Sequence, residues 1–216
     1  MVITDIEKSL TMKSDTILQL KVTLVGSRPS IWRKILIPIN STFFALHVAI
    51  QDAFGWDDAH LHQFHTTEPY RRNSIYRNVI GFPMPEMEDV LDERKIKLSE
   101  WLQTPKSKVW YEYDFGDDWM HEVRVEKVMP GDPKIHYPSL VAGANACPPE
   151  DCGGVGGYGQ LLEVLRNPRH EDHEEMLEWL GIESAEDFDP TFFDEKDVSF
   201  RDPQKVLQQY EKAVPM

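Results

Sequence analysis

The chain has 216 residues, of which 41% are hydrophobic and 28% charged, enough for a real buried core and the composition of an ordinary soluble protein. No apolar run approaches the ~20 residues that a membrane helix needs, and Met1 to Leu10 lack the basic start and apolar middle of a secretion signal, so the expected location is the cytoplasm, with no membrane partner. The net charge of −14 is uneven: residues 1–108 hold 14 Lys+Arg against 13 Asp+Glu, residues 109–216 hold 9 against 24, and nucleic acid is therefore not expected on the acidic second half.

In chain order, residues 1–15 read as a flexible arm before a single domain over 16–216. Ile17 to Val25 alternates, with Leu18, Leu20, Val22 and Leu24 on one face of a strand; after the Gly26–Ser30 turn cluster, Ile31 to Ile37 returns as a second strand. Ser41 or Thr42 can cap a helix whose Phe43, Leu46, Ile50 and Phe54 follow helical spacing, with Gly55 as its stop. That segment includes the longest apolar run, Phe43 to Ile50, interrupted by His47. His60 to Thr66 alternates as a third strand. Residues 67–95, polar and broken by Pro69, Pro83 and Pro85, form a long excursion in which Arg71, Arg72 and Arg77 read as a solvated loop in preference to a local basic patch for nucleic acid.

Ser99 to Leu102 suggests a short helical turn, and Lys108–Phe115 with Trp119–Met129 a β-hairpin. Beyond Pro130 the pattern becomes loop and helix. Tyr158, Leu161, Leu162 and Leu165 mark one amphipathic helix; His173, Met176, Leu177 and Leu180 mark another, stopped by Gly181; Asp202-Pro203 begins a third. Residues 150–202 carry 16 acids and 4 bases, which gives the helical portion, about 158–213, a strongly acidic outer face. The fold class is α+β: a mixed or mostly antiparallel sheet in the order β-β-α-β, then a β-hairpin, compatible with a β-grasp-like arrangement, followed by acidic helices.

Tyr111 to His121 carries more acids, aromatics and histidine than a turn requires. A two-residue loop at the hairpin tip mixes core with charge. A three-residue loop, Gly116 to Asp118, pairs Phe115 with Trp119, Tyr113 with His121, Tyr111 with Val123 and Val109 with Val125. In that register His121 is on the buried face and Asp114 on the opposite one. His121 is then either a core histidine satisfied by Tyr113 or a backbone carbonyl, or a proton-shuttling or metal-binding group at a cleft edge beside Asp117 or Asp118. Turn chemistry accounts for one of those aspartates better than for both.

Cys147 to Gly154 is a second dense cluster. Its C-x4-C spacing is long for zinc, and His170 and His173 sit closer together than zinc-finger histidines, so Cys147, Cys152, His170 and His173 are weak candidate ligands. Glu150 and Asp151 should raise a neighbouring thiol's pKa, against a reactive thiolate. Gly154, Gly156 and Gly159 match G-x-G-x-x-G, but a proline-rich loop precedes them instead of an apolar strand, which argues against a dinucleotide site and for tight loop packing against the hairpin. On a strand, His60 and His62 would share a face ~6.5 Å apart, a spacing suited to metal chelation or to a polar outer face.

These segments resemble the plasmid pRiA4b ORF-3-like family, which includes passenger proteins of insertion sequences. The similarity rests on Ile31-Trp32-Arg33, the Leu46–Trp56 helix ending Gly55-Trp56-Asp57, His60-Leu61-His62-Gln63-Phe64, Tyr111–His121, Cys147–Gly154, Gly157-Tyr158, His170–Trp179 and Phe188-Asp189-Pro190. The resemblance implies a single α+β domain and carries over no activity, cofactor or catalytic residue. The chain departs from the family at Asp118, where the hairpin tip is usually Gly-Asp-Gly-Trp, and at Gly156, often another residue. Nothing resembles a recombinase's serine nucleophile region.

The expected function is a non-enzymatic cytoplasmic binding or adaptor protein, associated with mobile elements, with a cleft between the 114–121 tip and the 147–154 loop. Its candidate binding residues are Trp32, Arg33, Asp114, Asp117, Trp119, His121, Glu150, Asp151 and Cys152, and the acidic second half favours a basic protein or peptide partner. The alternative is a metal-assisted hydrolase or nuclease-like enzyme using Asp114, Asp117, His121, Glu150 and Asp151 as ligands or acid–base groups. No cofactor is expected beyond a divalent metal at that cleft or among His60, His62, Cys147, Cys152, His170 and His173.

Overall fold

The computed structural model describes residues 16–69, 79–83 and 89–213; the arm expected over 1–15 and the cations Arg71, Arg72 and Arg77 lie outside the described residues. Strands β1 (Thr16–Leu24) and β2 (Trp32–Pro38) lead into helix α1 (Phe43–Phe54), then β3 (His62–His65), β4 (Val79–Gly81) and β5 (Val90–Asp92). A 3-10 turn at Leu98–Glu100 precedes β6 (Lys108–Tyr113), β7 (Trp119–Pro130) and β8 (Ser139–Ala144). Helices α2 (Gly154–Arg166), α3 (His173–Leu180) and α4 (Pro203–Ala213) complete the chain, with 3-10 turns at Ala185–Asp187 and Glu195–Asp197. The eight strands form one sheet in the order β5-β4-β3-β6-β7-β1-β2-β8, antiparallel except for the β4–β5 pair.

The ends of α1 follow from capping chemistry. Thr42 accepts a hydrogen bond from Ala45 N, and Gly55 takes the left-handed conformation (φ 81°) and returns its N–H to Gln51 O. Alternation puts Leu18, Leu20, Val22, Ile35, Val109, Val123 and Val125 on one sheet face, where they join Phe43, Leu46 and Ile50 of α1 and Tyr158, Leu161 and Leu177 of α2 and α3 in one core. Helices α1, α2 and α3 thus pack on one face, and the other face of the central strands carries Lys21, Lys34, Lys108 and Arg124 with Glu112, Glu122 and Glu126, together with Trp32, Trp110 and Met120.

The excursion expected over 67–95 also supplies two short edge strands, β4 and β5, and the segment after Pro130 supplies β8, an edge strand too evenly half-buried to alternate visibly. The hairpin register is displaced: Tyr113 pairs with Trp119, Tyr111 with His121 and Val109 with Val123, leaving five residues, 114–118, in the turn. A shift by two keeps every side chain on its expected face, so His121 and Tyr113 are buried as anticipated, but Phe115 leaves the ladder and is exposed. The longer turn closes because Asp114 and Asp118 adopt left-handed conformations (φ 53° and 54°), with Asp118 N donating to Asp114 O at 2.7 Å and Gly116 N to Asp114 Oδ1 at 2.9 Å. Asp118 therefore occupies a position for which glycine is the default residue.

Helix α2 begins earlier than its apolar positions indicate, and Gly154, Gly156, Gly157 and Gly159 lie inside it. Two of them are required by contact. A β-carbon on Gly154 would stand 2.2 Å from Asp117 O, and one on Gly157 would stand 1.8 Å from Cys152 O. Gly157→Ala is expected to lower unfolding free energy by ~2 kcal/mol or more, because rigid backbone meets the added methyl. Gly156→Ala, with nothing within 4 Å of its new carbon, should instead raise it by up to about 1 kcal/mol. Urea denaturation of the two variants checks both signs.

Candidate functional site

The hairpin tip and the Cys147–Gly153 loop are in direct contact, and the contact consumes several of the expected site residues. Asp117 Oδ2 accepts from Gly153 N at 3.1 Å. Glu150 Oε1 accepts from the Tyr113 hydroxyl at 2.7 Å and from Asp57 N at 3.0 Å, while Tyr113 in turn accepts from Ala59 N. Burial and the Glu150 carboxylate push the Tyr113 phenol well above its usual range. Trp56 donates its indole N–H to Pro148 O at 3.1 Å and stacks on Tyr113, with the fully buried Trp119 beside it. These bonds hold the tip and the loop together at Asp117, Tyr113 and Glu150. A groove of about 350 Å³ is bordered by Asp151, Cys152, Leu161, Asp172, Met176 and Trp179.

One group of potential metal ligands converges among the described residues. His60, which precedes β3, approaches Asp114 of the tip (Nδ1–Oδ2 3.7 Å) and Asp151 of the loop (Nε2–Oδ1 3.2 Å), and one ligand atom from each lies within 4.8 Å of the others. Asp114 is mostly sheltered and Asp151 is exposed. His62 does not share this position. It faces the interior, where Nε2 meets Glu93 Oε2 at 2.8 Å.

The remaining candidates lie apart from this group. Arg33, 2% exposed, donates to the carbonyls of Ala53, Trp32, Ala144 and Asn145 and lies over the Phe54 and Phe193 rings, so α1, β2 and the end of β8 are tied through one guanidinium. Burial lowers it to about 10, which leaves it charged at neutral pH. Both cysteines are free; burial pushes Cys147 well up, and burial with Asp117 and Asp151 pushes Cys152 to about 12, so neither is a ready thiolate. His173 Nδ1 donates to Val164 O at 2.9 Å, and His170 accepts from Asp172 N, which places neither with the cysteines as a ligand set. Trp32 stands on the opposite sheet face, flanked by Lys21 and Lys34.

A polar network that sequence reasoning missed lies under α4. His47 of α1 is fully buried, with Nε2 2.8 Å from Asp58 Oδ1 and Nδ1 2.8 Å from the Tyr111 hydroxyl, which also accepts from Gln51 Nε2. Because Tyr111 receives the Gln51 proton, it donates its own to His47 Nδ1, leaving the imidazole N–H on Nε2 for Asp58. Tyr210 of α4 adds a 2.6 Å hydrogen bond to Asp58, and Arg201 binds Asp52 and reaches Asp58 at 3.4 Å. Burial works to raise Asp58, but hydrogen bonds from His47 and Tyr210 override it and hold the carboxyl below its usual range. The His62 ring stacks on His47 at 3.4 Å, and Glu93 Oε1 is buried without a hydrogen-bond partner among the described residues. The one visible sign was His47 itself, a polar side chain inside the apolar face of a helix.

The pattern of the family described as plasmid pRiA4b ORF-3-like protein matches residues 16–197. The uncharacterized protein y4hQ of Sinorhizobium fredii (strain NBRC 101917 / NGR234) is 34% identical over 170 residues, covering 77% of this chain and 81% of that protein. The crystal structure of the protein of unknown function MM3350 from Methanosarcina mazei Go1 is similar with a TM-score of 0.75 at 41% identity, over 86% of this chain and 98% of that one.

His121 makes the interior sensitive to acid. It is fully buried, Nδ1 lies 3.4 Å from Tyr111 O, Nε2 has no hydrogen-bond partner among the described residues, and its ring meets Phe54 and Trp56 edge-on. Burial lowers its pKa from 6.5 to about 3, and burial with the stacked His62 also lowers His47. His121 therefore stays neutral in the folded chain over most of this range, so below pH 6.5 the unfolded chain takes up a proton that the native one refuses, and the lowered His47 acts in the same direction. Stability is expected to fall as pH drops from 6.5 towards 3, with His121 alone contributing on the order of 4 kcal/mol across that window. Chemical denaturation at a series of pH values should show the slope, and His121→Phe should flatten it.

Proposed function

The chain belongs to the plasmid pRiA4b ORF-3-like family, and from that membership and its acidic helical face we propose a polypeptide-binding adaptor. It takes a basic partner in the groove between α2, α3 and the Cys147–Gly153 loop. The observation that carries this reading is Trp179, 47% exposed on α3, bordering one groove with Met176 and Leu161 and with Asp151 and Asp172. An exposed tryptophan beside methionine is an adaptable apolar anchor point. The 16 acids against 4 bases over residues 150–202 add a field that draws a cationic partner and repels an acidic one. The cytoplasm and the company of mobile elements are part of the same reading, the latter supported by the family's description from a plasmid reading frame.

A lysine-rich peptide carrying leucine anchors is expected to bind this groove, and a glutamate-rich one is not. Calorimetric titration should show Trp179→Ala weakening the basic peptide about tenfold or more, as for a central anchor, and Asp172→Lys weakening it further at low salt. Equal affinity of wild type and Trp179→Ala would sink the proposal.

The convergence of His60, Asp114 and Asp151 supports a second reading, metal-assisted hydrolysis at the rim of the same loop. One imidazole and two carboxylates suit Zn²⁺ or Mn²⁺, and a cation there would supply Lewis-acid chemistry. Elemental analysis and Mn²⁺ titration are expected to give one equivalent per chain in wild type and none in Asp114→Asn. Absence of stoichiometric metal together with no heat on titration removes this reading.

A further inference from the structure

We propose that the helix-free face of the central sheet is a binding platform for single-stranded nucleic acid, on a row of cations across β2, β1, β7 and β6. Strand pairing sets Lys34 opposite Lys21, Lys21 opposite Arg124, and Arg124 opposite Lys108. Residues directly opposite in adjacent strands share a face, and strands are ~4.8 Å apart, so the row is roughly 15 Å long. Like charges in opposed positions are destabilising, and here they are placed together in every neighbouring pair of the row.

The compensation is incomplete. Glu126 meets Lys34 at 2.9 Å, and Glu122 is shared between Lys108 at 3.1 Å and Arg124 at 2.7 Å. Lys21, with a cation on either side, makes no contact ion pair among the described residues, although Glu126 attracts it from a distance; its ammonium lies 4.9 Å from the Trp32 ring centre, and Lys34 stands 5.6 Å from the same ring. The four cations and Trp32 are half-buried or exposed. The acidic helices pack behind the inner face of the sheet, and a Debye length of ~8 Å at physiological ionic strength limits their reach to the outer one.

The chemistry selects the ligand. A row of cations beside an aromatic ring matches a phosphate backbone with a base stacked at its edge, the combination that single-strand binding surfaces use. A duplex fits poorly, because its major groove, ~12 Å wide, admits a helix or a two-stranded ribbon and not a four-stranded face. An acidic polypeptide would meet the cations but has no base to place on Trp32. The sequence conceals this surface because its cations lie at positions 21, 34, 108 and 124 and meet only through strand pairing.

The test is fluorescence anisotropy of the full chain with labelled oligothymidylate of about twenty nucleotides. Binding is expected to show a slope of log affinity against log salt of about −2.8, from ~0.7 per neutralised phosphate over four cations. Lys21→Ala should weaken binding about eightfold at ~50 mM salt and reduce the slope by ~0.7. Lys21→Arg should retain wild-type affinity, and Trp32→Ala should weaken binding about tenfold without changing the slope. Trp179→Ala should leave this binding unchanged, which separates the platform from the groove. No binding at ~50 mM salt, equal affinity for the matching duplex, a slope unmoved by Lys21→Ala, or stoichiometric displacement by polyglutamate would each overturn the proposal.

Discussion

Backbone meets backbone where the hairpin tip sits on the start of α2, and the rest of the candidate site depends on that approach. Asp117 O occupies the space that a side chain on Gly154 would take, and Cys152 O that of a side chain on Gly157. Because the chains come this close, the 147–153 loop has no freedom to drift. Glu150 is brought to Tyr113 and Asp57 N, Pro148 to Trp56, and Asp151 to His60. The glycine pattern thus serves close packing of a loop and a helix start on a turn, with no phosphate cradle implied.

The interior carries more polar chemistry than a core of this size needs for packing. Arg33 spends its donors on four carbonyls of three chain segments, and His47, Asp58, Tyr111 and Gln51 form a chain of hydrogen bonds sealed by Tyr210. Buried charges and imidazoles are tolerable only when their partners are fixed, and losing one partner leaves the other desolvated and unpaired. Such groups specify one arrangement of α1 on the sheet where interchangeable aliphatic contacts would allow several.

How much was legible in the sequence divides along the range of the physics. Local rules located β1, β2, α1, the hairpin strands and the three later helices, because alternation, caps and glycine stops act within a few residues. They also fixed which face His121 occupies, since parity survives a register error of two. The turn length itself was misread because left-handed aspartates at 114 and 118 resemble any other aspartate in sequence. β8 and the edge strands β4 and β5 escaped notice because short, half-buried strands lack contrast between faces. His60, Asp114 and Asp151 were each named as candidates, but their meeting is a tertiary fact. His60 and His62, expected together on one strand face, are separated because β3 begins only at His62. The pairing of His47 with Asp58 had no sequence signal beyond the polar intrusion into α1.

Helix α4 is held in place largely by polar anchors. A small apolar cluster of Phe44, Val48 and Val206 lies beneath it, while Tyr210 and Arg201 fasten it to the Asp58 and Asp52 carboxylates. The family pattern ends at residue 197, before either anchor. A domain boundary drawn at that point would satisfy sequence similarity and yet uncover Asp58 and His47 from above. The interior carboxylate of Asp58 therefore draws its partners from residues that lie beyond the matched pattern and well beyond β8.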